Sequence, residues 1–397
     1  MRFQSILALS APLLALAAPM KYPRAASAND ITVLKFAHVL EQLETEFYKQ
    51  ALAKFQPSDF TSAGFVSASV PVEQFTSIAT DEATHTSVLA SVLQSLGQTP
   101  VTGCKFDFSS ALTDVKTMAP IARLVENVGV SAYLGGAALI DDRQLLVAAG
   151  TILTDEARHQ TVLNMLNGGV AIPSAFDVAL SPSQVLALAG GFISGCDLAN
   201  PALKVTNTGA VAPGTSLTFD SPALAGLDRS TLSCQMMTGG AAAAAVFPID
   251  SCVVPQGIEG PVYIYITNQS QPLLNSQQNQ NVAQIVAGPT GAFIDTKAES
   301  ASALFKSGGQ VSPAGSNTVN TISPAEASQI AAGGQGAAPT APGASTDSAA
   351  AVSSTGTASA PGATPSSSAA PTPQQSNSGT GGPAVVVGMS MRPSTGK

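Results

Sequence analysis

Two ten-residue stretches carry the side chains most able to do chemistry. Thr80-Asp81-Glu82-Ala83-Thr84-His85-Thr86-Ser87-Val88-Leu89 recurs as Thr154-Asp155-Glu156-Ala157-Arg158-His159-Gln160-Thr161-Val162-Leu163, with seven of ten positions identical. Each copy holds Glu-x-x-His, which on a helix sets a carboxylate and an imidazole one turn apart on the same face. Two ligands so placed converge on one metal ion. Two such motifs plus a lone Glu from each of two further helices make a di-metal carboxylate pattern. The lone acids are Glu41 and Glu126, each followed seven residues later by a tyrosine, Tyr48 and Tyr133. The halves therefore match as Glu41…Tyr48…Glu82-x-x-His85 and Glu126…Tyr133…Glu156-x-x-His159, a duplicated helix pair.

The chemistry calls for these residue types. Four carboxylates and two neutral imidazoles nearly offset the charge of two metal ions, and their oxygen and nitrogen donors suit iron or manganese. No cysteine lies near the motifs, which argues against a thiolate site. Glu44 stands one turn after Glu41 and has no counterpart in the second half, where Gly129 stands; the symmetry with Glu126 favours Glu41 as the ligand and leaves Glu44, Tyr48 and Tyr133 as additional candidates. The tyrosines read as hydrogen-bond donors behind the ligands rather than redox groups. Asp81 and Asp155 point away from the metals, in position to accept a hydrogen bond from a ligating histidine. Arg158 is expected to pair with an acid on a neighbouring helix, and His38 to lie at the surface or behind the ligands.

Four long helices must position these groups. Phe36, Leu40, Leu43, Phe47 and Ala51 form an amphipathic stripe in the first, capped by Asn29 or Asp30 and followed by Pro57. Ser69 caps the second, Pro71 sits in its first turn and Gly97 stops it. The third spans about 118–140 with Pro120 in its first turn, and the fourth runs from Asp141 or Asp142 to Asn167, stopped by Gly168-Gly169. Helices of about 25 residues, each about 38 Å long, form an antiparallel bundle with the six groups in one layer. A shorter fifth helix is expected over 181–196.

Beyond position 201 short β-prone runs alternate with turn residues, and Val262-Tyr263-Ile264-Tyr265-Ile266 is the clearest strand. The boundaries drawn are a signal peptide over 1–17, a helical bundle over 29–198, a small β-rich disulfide-containing module over 201–300, and a disordered low-complexity Ser/Ala/Gly/Pro/Thr tail over 309–397. Arg2, the apolar run 6–16 and Ala15-Leu16-Ala17 supply the three parts of a secretory signal, so the chain is expected to be exported. The four cysteines, Cys104, Cys196, Cys234 and Cys252, are even in number, as export would have it. Three pairings are open; the favoured one joins Cys234 to Cys252 within the β module and Cys104 to Cys196 across the helical one. Asn268-Gln269-Ser270 is a glycosylation sequon at the end of the strand-like run.

The formal net charge of −8 and pI near 4.8 provide no basic footprint for nucleic acid. No internal segment is long and apolar enough to span a membrane.

Glu, Glu-x-x-His, Glu, Glu-x-x-His on successive helices resembles the ferritin-like superfamily of di-iron and di-manganese proteins. With the signal, the Leu40-Glu41-Gln42-Leu43-Glu44 start, Phe47-Tyr48 and Asp-Glu-Ala-x-His, the chain resembles more narrowly the fungal secreted ferritin-like proteins described as sexual-development or stress-response proteins. The resemblance covers about 30–170 strongly and 171–300 loosely. It implies a mainly α, ferritin-like antiparallel four-helix bundle and makes Glu41, Glu82, His85, Glu126, Glu156 and His159 the ligands of two Fe or Mn ions. The activity it implies is that of a di-metal oxidoreductase, ferroxidase-like or peroxide-consuming, with metal ions and small oxygen species as partners. The alternative is a non-catalytic structural or developmental surface protein that keeps the bundle. Cell-wall association and homo-oligomers fit either reading, whereas a storage cage is disfavoured by the β module and tail.

Overall fold

The computed structural model describes residues 26–196, 203–207, 211–277 and 279–307. The signal-peptide and tail expectations lie outside the described residues.

Helix α1 (Ala28–Lys54) starts on a capping box in which Ser27 accepts from the Asp30 N–H and Asp30 accepts from the Ser27 N–H. The cap is therefore Ser27, not Asn29 or Asp30. The other oxygen of Asp30 receives the backbone N–H groups of Asp141 and Asp142 at 2.8 and 3.2 Å, tying the start of α1 to a distant turn. A short helix, α2 (Pro57–Ser62), occupies part of what reads in sequence as loop. Next come α3 (Ser69–Ser95), α4 (Val115–Ala137) and α5 (Arg143–Leu166). Ala68, not Ser69, occupies the cap of α3. Asp114 caps α4 one turn earlier than the Pro120 signal suggests, so the proline lies inside the helix. Asp142 caps α5, and Gly168 beyond its end takes a left-handed φ of 84° that suits a residue without a β-carbon.

The helices pair as α1 with α3 and α4 with α5, and the two pairs close on one core. Its centre is aromatic: Phe47, Tyr48, Phe60, Phe75 and Phe108 are all buried, with Phe47 edge-on to both Tyr48 and Phe108 at 5.3 Å.

Helix α6 (Pro182–Ala189) is shorter than the stretch 181–196. Gly190-Gly191 turns the chain out of the helix, and Ile193–Ser194 (β2) instead pairs with Lys105–Phe106 (β1). The Cys104–Cys196 disulfide closes beside this small ladder.

The C-terminal part contains a two-stranded ladder, Lys204–Val205 (β3) with Phe219–Asp220 (β4), and a four-stranded antiparallel sheet. The sheet runs in the order β6 (Ala245–Pro248), β5 (Ser233–Thr238), β7 (Gly260–Thr267), β8 (Ile285–Ile294). Cys234 on β5 is bonded to Cys252. Strand β7 explains its own sequence. Val262, Ile264 and Ile266 face a core with Leu217, Leu232 and Met236, whereas Tyr263 and Tyr265 point the other way, into a cluster with Leu40, Val128 and Ala132 of the bundle. A strand covered on both faces is apolar at every position rather than at alternate ones. The Tyr263 hydroxyl takes a hydrogen bond from Asn127 Nδ2 at 2.6 Å and lies 2.7 Å from Ser131 Oγ, so α4 supplies the polar partners that this buried tyrosine needs. A second tie runs through Arg123, buried on α4: its guanidinium grips both oxygens of Asp295 at 2.7 and 2.8 Å and donates to Asn164 on α5 at 2.7 Å. Helices and sheet thus share one compact unit among the described residues. Asn268 is exposed at the bend that follows β7.

Candidate metal centre

The middle layer of the bundle brings together Glu41 and Glu44 from α1, Glu82 and His85 from α3, Glu126 from α4, and Glu156 and His159 from α5, every one of them buried. Their donor atoms fall into two groups, Glu41, Glu82, His85 and Glu156 in one and Glu82, Glu126, Glu156 and His159 in the other, each with donors within 4.8 Å of one another. Glu82 and Glu156 belong to both groups. A carboxylate has two oxygens, and these two acids are the ones placed to span two ions.

His85 Nδ1 lies 3.3 Å from Glu41 Oε2 and 3.3 Å from Glu82 Oε2; His159 Nδ1 lies 2.9 Å from Glu82 Oε1 and 3.2 Å from Glu126 Oε2. The Nδ1 atom of each ring thus faces the carboxylates. The opposite nitrogens meet the aspartates of the motifs, but crosswise: His159 Nε2 is 3.3 Å from Asp81 of α3, and His85 Nε2 is 3.5 Å from Asp155 of α5. Such contacts fix the tautomer and the direction of a ligating ring.

The tyrosines cross as well. Tyr48 of α1 donates to Glu126 of α4 at 2.5 Å, and Tyr133 of α4 donates to Glu41 of α1. The two helices run antiparallel past each other, so a seven-residue spacing on each sets each tyrosine beside the other helix's glutamate.

Arg158 bonds Asp155 on its own helix rather than an acid on a neighbouring one. His38 is buried, beside Gln42. It takes no part in the cluster.

Burial of this many acids perturbs their protonation. Desolvation, reinforced by Glu126 and partly countered by hydrogen bonds from His159 and His85, pushes Glu82 up to about 8. Glu44 and Glu156 are raised well above the ordinary range by desolvation first and by the neighbouring carboxylates second. Burial works against a charged imidazole, but Glu41 and Glu82 outweigh it at His85, which rises to about 10, and Glu126 and Glu82 outweigh it at His159, which rises to about 11.

Both buried oxygens of Glu156 have no hydrogen-bond donor among the described residues, and Oε2 of Glu41 and Oε1 of Glu82 have none beyond a histidine Nδ1 that each shares with another carboxylate. Unsatisfied buried acceptors are costly. Cations between the carboxylates would satisfy them, and the donor set of oxygen and imidazole nitrogen fits hard or borderline metals.

Residues 29–169 match the family model of the ferritin-like domain. These residues form a ferritin-like domain. Among solved structures the chain is similar to a ferritin-like, diiron-carboxylate protein of Bacillus anthracis str. Ames, at 22% identity over 36% of this chain and 99% of that one, with a TM-score of 0.28. No curated protein matches the chain significantly. Among the described residues, no helix is long and apolar enough to cross a membrane.

Glu44 is the residue that sequence symmetry undervalues. Its carboxylate lies in the same layer as the six, and the signal for it was the glycine opposite. A β-carbon at Gly129 would stand 3.0 Å from Glu44 Oε1 and 2.5 Å from Glu156 Oε2. The duplicated halves are complementary here: one contributes a carboxylate, the other the space that accommodates it.

Proposed function

We propose that the ferritin-like domain holds two iron or manganese ions and that the protein is an exported di-metal oxidoreductase acting on ferrous iron or on peroxide and oxygen. The observation that carries this reading is the pair of four-residue donor groups sharing Glu82 and Glu156, in a layer where five buried carboxylates have only two imidazoles between them and both oxygens of Glu156 lack donors. Glu41, Glu82, His85 and Glu156 would hold one ion and Glu82, Glu126, Glu156 and His159 the other. When bound, such a pair supplies two adjacent centres able to exchange electrons with small molecules.

The chain's own groups do the positioning. Tyr48 and Tyr133 hold the terminal glutamates Glu126 and Glu41 through their second oxygens, which leaves the other oxygen of each directed at the centre. Asp81 and Asp155 orient the imidazoles, and the buried aromatic core below the layer keeps bulk water from that side. Export is supported by the N-terminal signal pattern and by two disulfides, which persist in oxidising compartments. A role in stress or development is what the resemblance to secreted fungal ferritin-like proteins would imply.

Elemental analysis of the purified full chain tests the reading. About two metals per chain are expected, with a marked loss in both His85→Ala and Glu156→Ala. A wild type that stays metal-free after incubation with Fe(II) or Mn(II), while fully folded, would overturn it and leave a scaffold at the cell surface.

A further inference from the structure

A cavity of about 520 Å³ lies between the ferritin-like domain and the β-rich part. Its walls are Leu43, Val125 and Val128 from α1 and α4, Leu188 from α6, Phe192, and Val205 from β3. Glu44 and Gly129 form part of the same lining, so the cavity reaches the edge of the carboxylate layer. Glu44 is only 3% exposed, and one of its oxygens lies 3.0 Å from where a β-carbon of Gly129 would stand. Lys204, also in the lining, is exposed.

A volume of several hundred Å³ with mostly apolar walls and a few placed polar groups is the usual form of a small-molecule site; here Glu44 is the buried one, with Thr290 half-buried and Lys204 exposed. The chemistry of the occupant follows from the charge around Glu44. Five buried carboxylates face two imidazoles in this layer, which disfavours an anionic head group, and the apolar walls penalise any charged one. A neutral hydrogen-bond donor suits Glu44. We propose that this cavity binds an apolar molecule bearing a hydroxyl, an alcohol or phenol, with its body between α4 and α6 and its hydroxyl on the Glu44 carboxylate. Bound in this way, the hydroxyl lies beside Glu156, at the edge of the metal centre. The assignment rests on the cavity and on Glu44 and does not require the ions to be present.

Fluorescence titration of the full chain with 2-naphthol tests it, on metal-free and metal-loaded protein, against naphthalene, 2-naphthoate and 1-naphthylmethylamine. The expected result is saturable binding of 2-naphthol about five- to tenfold tighter than naphthalene, the worth of one buried hydrogen bond, and weaker binding of both charged probes. Leu188→Trp on α6 and Val128→Phe on α4 should each weaken 2-naphthol at least about tenfold by filling the space, with thermal midpoint and metal content measured alongside. Glu44→Leu should abolish the preference for 2-naphthol over naphthalene. Equal affinity for 2-naphthol and naphthalene in the wild type, tighter binding of the amine or the acid, or unchanged binding in folded Leu188→Trp and Val128→Phe would each overturn the proposal. Metal content is read separately, so loss of the cavity assignment and loss of the di-metal reading are distinct results.

Discussion

Gly129 makes room for Glu44. A β-carbon at 129 would reach to 3.0 Å from one Glu44 oxygen and 2.5 Å from one Glu156 oxygen. Both atoms are the far ends of flexible side chains, so Gly129→Ala displaces carboxylates rather than backbone. The substitution is therefore expected to leave the metal-free fold nearly intact while lowering metal affinity about 10- to 100-fold, the range seen when groups that support ligands are disturbed. Isothermal titration with Mn(II), together with the thermal midpoint of the chelated protein, checks both halves. Unchanged affinity would show that Glu156 does not need its present position.

The crossed tyrosines make a paired prediction. Tyr48→Phe leaves Glu126 Oε1 without its donor, and Tyr133→Phe does the same to Glu41. Each should cost about 1–3 kcal/mol in the metal-free protein, because a buried acceptor loses its partner while the ring still fills its place. Each should also lower metal affinity, by a similar factor for the two variants if the halves are equivalent. Urea unfolding and metal titration give the two quantities. A Tyr48→Phe protein as stable and as tightly loaded as wild type would remove tyrosine from the design of the site.

The pH response has a definite sign. Glu82 titrates at about 8 in the folded chain against about 4.3 in an unfolded one, and Glu44 and Glu156 shift the same way. Across that window the folded protein binds more protons than the unfolded one, so stability falls as pH rises. His85 and His159, raised to about 10 and 11, act in the same direction from about 6.5 upward. Asp30, drawn below its ordinary range by hydrogen bonds that overcome its burial, acts oppositely but below about pH 4. The chelated protein should therefore be more stable at pH 5 than at pH 9. Metal must displace these protons, so the loaded protein should lose its ions, and the stability they confer, on acidification. Thermal midpoints at pH 5, 7 and 9, with chelator and with Mn(II), decide it; a chelated midpoint that climbs with pH contradicts the arrangement.

What the sequence makes legible is what repeats locally. Glu82-x-x-His85 and Glu156-x-x-His159 fix ligand direction through helix periodicity alone, and the duplication places their partners. The crosswise pairing of Asp81 with His159 and Asp155 with His85 is not legible, because it depends on how α3 lies against α5. Glu44 breaks the repeat and is undervalued for that reason. Helix ends are blurred by competing caps: Ser27, Asn29 and Asp30 are all plausible by type, and only the geometry assigns Ser27 the cap and Asp30 the reciprocal bond. The stretch after Ser181 carries helix-forming residues, yet Gly190-Gly191 and the pairing of Ile193 with Phe106 end the helix early. The docking of β7 on the bundle is written only as a strand apolar at every position, which signals two covered faces without naming what covers them.

Arg123 and Asp295 test whether bundle and sheet depend on each other. The guanidinium is buried, donates twice to Asp295 and once to Asn164, and lies 3.9 Å from the Phe293 ring centre. Removing it by Arg123→Met keeps most of the volume but strands Asp295, which is partly exposed and can recover some hydration. Breaking a fully buried pair costs about 3–5 kcal/mol; the access of Asp295 to water lowers the expectation to about 2–3 kcal/mol here. Asp295→Ala should cost more than its exposure alone suggests, because it leaves the better-buried partner charged and unpaired. The two losses should not add in the double variant, since both remove one interaction. Because Asn164 on α5 shares the arginine, unfolding monitored in the helices and through the tyrosines of β7 should remain a single transition in the wild type. Additive losses, or two separate transitions in the wild type, would show that the β-rich part only rests on the bundle.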